Sequence, residues 1–218
     1  FLLFYLFYNR FKNNFSVPLM YHLILKDFWN KKDKIPASVL KVTQNEKAKS
    51  YEKLKLYGIT KDFLVIIPGA AWKQKSWNFN KYVELINLIN LPVIILGLAS
   101  DSICFEISKR TNNVLNLAGK TSLREAMAII ANAIYVIGSD TGLTHVAEAL
   151  GKNVSMILGP TSYQTGANVI LKKSNIIEKK VWCRPCSQNG KRKCYRSKQF
   201  CMDLITVDDV LNSMPILE

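Results

Sequence analysis

From residue 61 onward the apolar positions gather into short unbroken runs, and the stretches between them carry apolar residues at helical spacing. Phe63-Leu64-Val65-Ile66-Ile67 is apolar at every position, and so are Val93-Ile94-Ile95-Leu96, Ala133–Ile137 and, but for one serine, Val154–Leu158. A run with no polar alternation suits a strand covered on both faces, as in a parallel sheet. Val114–Leu117 reads as a shorter strand. Between the runs, Asn80–Ile89 places Tyr82, Leu85, Ile86 and Ile89 on one helical face. Asp101–Arg110, the Ala-rich Ser122–Ala131 and Leu143–Leu150 read as three further helices. Alternating strand and helix with short links predicts an α/β fold built on a doubly wound parallel sheet. Ligands of such sheets lie at the carboxyl ends of the strands. Polar, Gly-rich exits fall at those ends: Pro68-Gly69-Ala70, Gly97, Ser139-Asp140-Thr141-Gly142 and Gly159-Pro160-Thr161-Ser162.

Residues 1–60 have no clean period. They hold the apolar start Phe1–Tyr8, a second apolar stretch at Val17–Leu25, a Lys-rich stretch around Asn30–Lys34, and a short helix at Tyr51–Tyr57 closed by Gly58. Eight apolar residues fall short of the roughly 20 that span a bilayer. No basic segment precedes them and no small-residue cleavage site follows, which argues against a signal peptide. They read as a buried segment of a domain whose earlier part is missing, or as a surface resting on a membrane.

A chain of 218 residues can bury one sizeable core, and 49% apolar with 21% charged residues excludes a disordered chain. Thirty Lys and Arg against sixteen Asp and Glu give a net charge of +14. That balance points to polyanionic company: nucleotide phosphates, a phosphorylated glycolipid, a membrane surface or nucleic acid. The lysines are scattered and form no block, so an AT-rich genome that also favours Asn and Ile is an equal explanation.

The exit of the third long strand carries the most chemistry. Gly138-Ser139-Asp140-Thr141-Gly142 sets small and capping residues ahead of a helix, whose first-turn N–H groups then face the loop. Glycine permits close approach, and the helix dipole adds about half a positive charge. The outline is that of an anion site, although Asp140 in this position also suits a plain helix cap. His145 and Glu148 follow at helical spacing. His145 lies where it can contact phosphate or hold the loop's shape. Upstream, Gly69 is followed by lysines between two tryptophans, Trp72-Lys73-Gln74-Lys75-Ser76-Trp77, a setting that suits a diphosphate contact.

Taken in order, several segments resemble glycosyltransferase family 9, the lipopolysaccharide heptosyltransferases and their relatives. They are Pro68-Gly69-Ala70 with Lys75-x-Trp77, then Leu117–Leu123, then Asp140-Thr141-Gly142-x-x-His145-x-Ala147-x-Ala149-x-Gly151, and Gly159-Pro160-Thr161-Ser162. The resemblance covers about residues 61–210. It implies a GT-B arrangement, two Rossmann-like domains facing across a cleft. Residues 61–218 would be the C-terminal nucleotide-sugar-binding domain, and residues 1–60 a remnant of the N-terminal acceptor domain with its linker. It also implies an inverting transfer of a heptose or related sugar from an ADP-sugar to the lipopolysaccharide inner core, with Lys75, Asp140, Thr141, Gly142, His145 and Thr161 around the donor. The acceptor would be lipid A–core at the cytoplasmic face of the inner membrane. The enzyme would be cytoplasmic or peripheral there, and no cofactor would be required. The family's general base sits in an N-terminal Gly-Asp motif, and no such motif precedes residue 61 here. The catalytic base is therefore expected in a missing part. A UDP-sugar transferase or epimerase is the alternative within the same fold. A basic, Cys-rich nucleic-acid-binding module is the alternative from another class, and it accounts for none of the strand exits.

Four cysteines, Cys183, Cys186, Cys194 and Cys201, stand within nineteen residues inside a basic stretch. They suit a structural zinc site, although the last spacing is wider than usual; reduced thiols and disulfides are the alternatives. Cys104 is expected in the core.

Overall fold

The computed structural model describes residues 17–24 and 36–214. The apolar start Phe1–Tyr8 and the stretch Asn30–Lys34 lie outside the described residues. A first helix, α1, runs Val17–Ile24, and α2 runs Gln44–Lys55. Then follow β1 (Leu64–Ile67), α3 (Phe79–Leu88), β2 (Val93–Ile95), α4 (Ser102–Ser108), β3 (Val114–Asn116), α5 (Leu123–Asn132), β4 (Tyr135–Ser139), α6 (Gly142–Ala149), β5 (Val154–Ile157) and β6 (Asn175–Ile177). Two short helices close the described chain, α7 (Phe200–Asp203) and α8 (Val207–Leu211).

The six strands form one parallel sheet in the order β3-β2-β1-β4-β5-β6. The order reverses between β1 and β4, so the loops leaving these two strands diverge to opposite faces and leave a crevice between them. Successive residues of each strand point to opposite faces, and the core divides accordingly. Leu64, Ile66, Val93, Ile95, Tyr135 and Ile137 face one layer with Trp77, Tyr82, Leu85 and Val210. Val65, Ile67, Ile94 and Val136 face the other with Leu54, Phe63, Ile129, Ile130 and Ala147. This double burial is why the runs read as apolar throughout.

Local signals set the helix starts. Thr43 and Glu46 form a capping box that opens α2, and Ser122 with Glu125 opens α5. The helix expected at Tyr51 thus begins two turns earlier, at Gln44, in a polar stretch without an apolar stripe. Leu54 of α2 enters the core, and α2 lies along α5. Ion pairs Glu46–Arg124 and Lys53–Glu125 tie the two helices at their exposed edge. The edge strand β6 has no counterpart in the sequence reading, since three residues among lysines make no pattern. Trp77, which follows the lysines, packs into the core. It is 1% exposed, its indole donates to the Ile205 carbonyl at 3.2 Å, and it meets Tyr82 edge to face.

Candidate active site

The site is assembled where β4 gives way to α6. Ser139 is fully buried, and its hydroxyl donates to the Pro68 carbonyl at 3.1 Å, linking the exits of β4 and β1. Thr144 of α6 turns back and donates to the Ser139 carbonyl at 2.8 Å. Only glycine permits this at position 138. A Cβ there would overlap the Thr144 hydroxyl and come within 3.2 Å of the Ile67 Cβ. The close crossing brings the start of α6 up to the sheet edge. Thr141 is the N-cap in extended conformation, and its side chain makes no capping hydrogen bond. The Gly142 and Leu143 N–H groups are thus left for another acceptor, while the Thr144 N–H returns to the Thr141 carbonyl at 3.1 Å, and a Cβ on Gly142 would meet nothing within 4 Å.

Asp140 does not cap the helix, the simpler role open to it from sequence. Its side chain is 9% exposed and is surrounded by three partners. Lys75 Nζ stands 2.8 Å from Oδ2, the Thr161 hydroxyl donates to the same oxygen at 2.9 Å, and His145 Nε2 lies 3.3 Å from Oδ1. Burial pushes the Asp140 carboxyl up, but His145, Lys75 and Thr161 outweigh it and hold the group down to about 2. Asp140 is therefore an anion at neutral pH. It fixes the Lys75 ammonium, the Thr161 hydroxyl and the His145 ring around the mouth of α6.

Each partner is itself braced. Lys75 ends a single 3₁₀ turn, Lys73–Lys75, and its side chain is only 13% exposed while that of neighbouring Lys73 faces outward. Gly190, at φ +85°, lies against the Lys75 stem, where any Cβ would overlap it. Thr161 is held by Arg184, which donates to the carbonyls of Gly159, Thr161 (3.0 Å) and Lys179 (3.0 Å) and pairs with Glu178 at 2.7 Å. Sequence reasoning missed Arg184, because nothing distinguishes it from the other cations of its basic stretch. Glu148 is not in the cluster. Its buried carboxylate accepts the Ile170 and Leu171 N–H groups at 2.7 and 3.0 Å and pins that segment. The structure thus brings Lys75, Asp140, His145 and Thr161 together, with Thr141 and Gly142 at the opening. Beside them a cleft of about 600 Å³ runs along the exits of β1 and β2, lined by Gly69, Ala70, Lys73, Ser76 and Asp101 among others.

The four cysteines at 183, 186, 194 and 201 all line one small cavity with Gln74 and Pro160. All are thiols. Burial first, then the neighbouring Cys201, Cys183 and Cys194, push the Cys186 thiol up to about 11. As placed, no group of three or more His, Cys, Asp or Glu among the described residues is gathered to hold a metal ion. Cys104 is buried in the core.

The chain is similar in sequence and fold to known proteins. Residues 3–195 match the family model described as glycosyltransferase family 9 (heptosyltransferase). Lipooligosaccharide heptosyltransferase 2 of Haemophilus influenzae is 32% identical over 154 residues, which is 64% of this chain and 44% of that protein. Lipopolysaccharide heptosyltransferase 2 of Salmonella typhimurium is 36% identical over 105 residues, 44% of this chain and 30% of that protein. The solved structure of the Escherichia coli ADP-heptose lipopolysaccharide heptosyltransferase II superposes with a TM-score of 0.69 at 26% identity, covering 87% of this chain and 55% of that one. The chain therefore spans about half the length, or less, of the relatives it matches. The family model spans most of the chain, and the chain belongs to glycosyltransferase family 9, the heptosyltransferase family.

Proposed function

We propose that this chain is the donor-binding part of an enzyme that transfers a heptose, or a related sugar, from an ADP-sugar to the lipopolysaccharide inner core with inversion. The observation that carries this reading is the open start of α6 beside a buried Lys75–Asp140–Thr161 cluster at the reversal of strand order. The relatives' names supply the sugar and the acceptor class.

Each residue then has a defined task. The N–H groups at Gly142 and Leu143, with the helix dipole, receive the diphosphate. Lys75 neutralises the charge that grows on the diphosphate as its bond to the sugar breaks. Asp140 does not touch the phosphates, which it would repel; it anchors the Lys75 ammonium and the His145 ring. Thr161 occupies the second lone pair of Oδ2 and keeps the carboxylate from turning. The neighbouring cleft takes the nucleoside.

In the reaction the acceptor hydroxyl attacks the anomeric carbon from the face opposite the diphosphate. The sugar–phosphate C–O bond breaks, and its electron pair leaves with ADP. The hydroxyl proton passes to a base on the acceptor side, for which these 218 residues offer no Gly-Asp motif. The acceptor is lipid A–core at the cytoplasmic face of the inner membrane, and the net charge of +14 favours approach to that phosphorylated surface. No described helix is long and apolar enough to cross a membrane.

Calorimetric titration with ADP, UDP and ADP-heptose tests the reading. ADP and ADP-heptose should bind, and Lys75→Ala should weaken both by about tenfold or more, the loss of one charge-assisted contact. Failure of the wild type to bind any of the three would sink the donor site. Binding of UDP with indifference to ADP would instead select the UDP-sugar alternative.

A further inference from the structure

Lysines are scattered along most of the chain, but residues 179–198 concentrate positive charge. These twenty residues hold eight of the thirty Lys and Arg and none of the sixteen Asp and Glu, so they supply +8 of the net charge of +14. They form neither helix nor strand, yet they lie against both loops that flank Asp140. The Cys186 and Ser187 N–H groups donate to the Pro160 carbonyl at 3.1 and 3.2 Å, next to Thr161. Gly190 lies against the Lys75 stem, and Lys191 Nζ stands 5.5 Å from the centre of the Trp72 ring. The charge is thus gathered at the rim of the candidate site, on the edge where the strands end.

Two of the eight cations pair with carboxylates, Lys179 with Asp209 and Arg184 with Glu178. Lys180, Lys191, Lys193 and Lys198 are exposed. Like charges held this close repel one another, and an anionic surface brought against them relieves that repulsion. Large aromatic rings stand among them: Trp182 is 68% and Tyr195 51% exposed. Their centroids are 6.2 Å apart with the planes at 63°, and Arg196 lies over the Trp182 ring at 5.9 Å and the Phe200 ring at 4.1 Å. Exposed rings with an apolar body and a polar edge, set among cations, suit the headgroup zone of a bilayer. There the rings rest at the acyl boundary and the cations meet lipid phosphate. A single nucleic-acid strand asks instead for ring faces presented in succession for base stacking. An edge-to-face pair with an arginine over the tryptophan is a poor platform for that.

We propose that residues 179–198 are a docking surface for the anionic lipid headgroups of a bilayer, with Lys180, Lys191, Lys193 and Lys198 meeting the phosphates and Trp182 and Tyr195 resting at the acyl boundary. Docking by this segment turns the strand-exit edge, with Lys75 and the start of α6, toward the membrane. An acceptor sugar anchored in that membrane by its lipid then meets the donor without leaving the bilayer. The docking itself stands alone; only this purpose rests on the donor-site reading. Each cation brought near an anionic surface strengthens binding by about fivefold, an effect that salt screens.

The test sediments the 218-residue chain with vesicles of phosphatidylglycerol and, separately, of phosphatidylcholine. The chain should bind the first, less tightly as salt is raised, and bind the second far more weakly. Lys180→Gln, Lys193→Gln and Lys198→Gln together should weaken binding to phosphatidylglycerol by about 100-fold, at about fivefold per cation. Lys49→Gln, Lys61→Gln and Lys109→Gln together remove the same charge from α2 and from the turns ahead of β1 and β3, and should weaken it by less than about fivefold. Trp182→Phe should remove most of the blue shift in tryptophan emission that the vesicles produce. Absence of binding to phosphatidylglycerol, or equal losses in the two triple variants, would overturn the docking surface. Oligothymidylate that binds more tightly than the vesicles and displaces them would assign the segment to nucleic acid and overturn it too. The donor site is read separately by ADP titration, in which the Lys180, Lys193 and Lys198 triple variant should match the wild type. A wild type that binds vesicles but not ADP would overturn the donor-site reading and leave the docking surface standing.

Discussion

Asp140→Asn is the most informative single change, because the shape is kept and only the charge is removed. In the wild type the Asp140 carboxyl is held at about 2 against an ordinary 3.8. Burial raises it, but the contacts from His145, Lys75 and Thr161 lower it further. That depression corresponds to about 2 kcal/mol favouring the folded state at neutral pH. The asparagine loses that contribution and also leaves Lys75, only 13% exposed, without its counter-charge. Breaking one side of a buried pair costs about 3–5 kcal/mol where both groups are fully desolvated, and less at partial exposure. A loss of about 2–4 kcal/mol at pH 7 is therefore expected, read by urea unfolding followed by circular dichroism. The pH dependence has a definite sign. The folded-state value is depressed, so the contribution is complete above about pH 4 and is lost as pH falls toward 2. The gap between wild type and Asp140→Asn should be constant from pH 7 to about 5 and should shrink between about 4 and 2. Equal stability at pH 7, or a gap still undiminished at pH 2.5, would refute the placement of Asp140 as a buried, cation-paired carboxylate.

Arg184→Gln should destabilise the fold by about 2–3 kcal/mol, since buried carbonyls of Gly159 and Thr161 lose their donor. It should also weaken ADP binding through Thr161, and conservative Arg184→Lys should recover only part of either loss; denaturation and calorimetry read the two effects. Gly138→Ala should cost about 1–3 kcal/mol by forcing Thr144 and Ile67 apart, measured as a lowered melting temperature. Thr43→Ala removes the capping box of α2 and should cost about 1 kcal/mol without altering ADP affinity, which separates a stability effect from a site effect.

The sheet was legible because its strands are buried on both faces, which writes an unbroken apolar run into Phe63–Ile67 and Ala133–Ile137. Its strand exits were legible because Gly, Pro, Asp and Thr punctuate them. Within the site, Asp140, Lys75 and Thr161 could be placed at the same sheet edge from strand order, but not their mutual contact, which depends on how far each loop reaches across the β1/β4 crevice. Asp140 illustrates the difference: as a residue ahead of a helix it reads as a cap, and only the approach of Lys75 from sixty-five residues upstream gives it another task. Arg184 was invisible for the same reason, since its value lies in reaching three carbonyls that come together only in the folded chain. The start of α2 was missed although the Thr43-x-x-Glu46 signature is local. The helix is polar there and carries no apolar stripe. Strand β6 has three residues and no pattern to find. The burial of Trp77 was not legible, because sequence cannot tell a tryptophan on a loop from one that turns under α3 into the core.

The central claim is that a diphosphate sits on the start of α6 next to Lys75. Amide chemical shifts of the isotopically labelled chain during titration with ADP, and separately with adenosine, test it most directly. The account predicts that ADP shifts the Gly142 and Leu143 amides and the Lys75 ammonium strongly, while adenosine perturbs the Gly69–Ser76 cleft and leaves Gly142 nearly unchanged. Equal shifts at Gly142 with both ligands, or ADP shifts confined to residues away from α6 and Lys75, would contradict it.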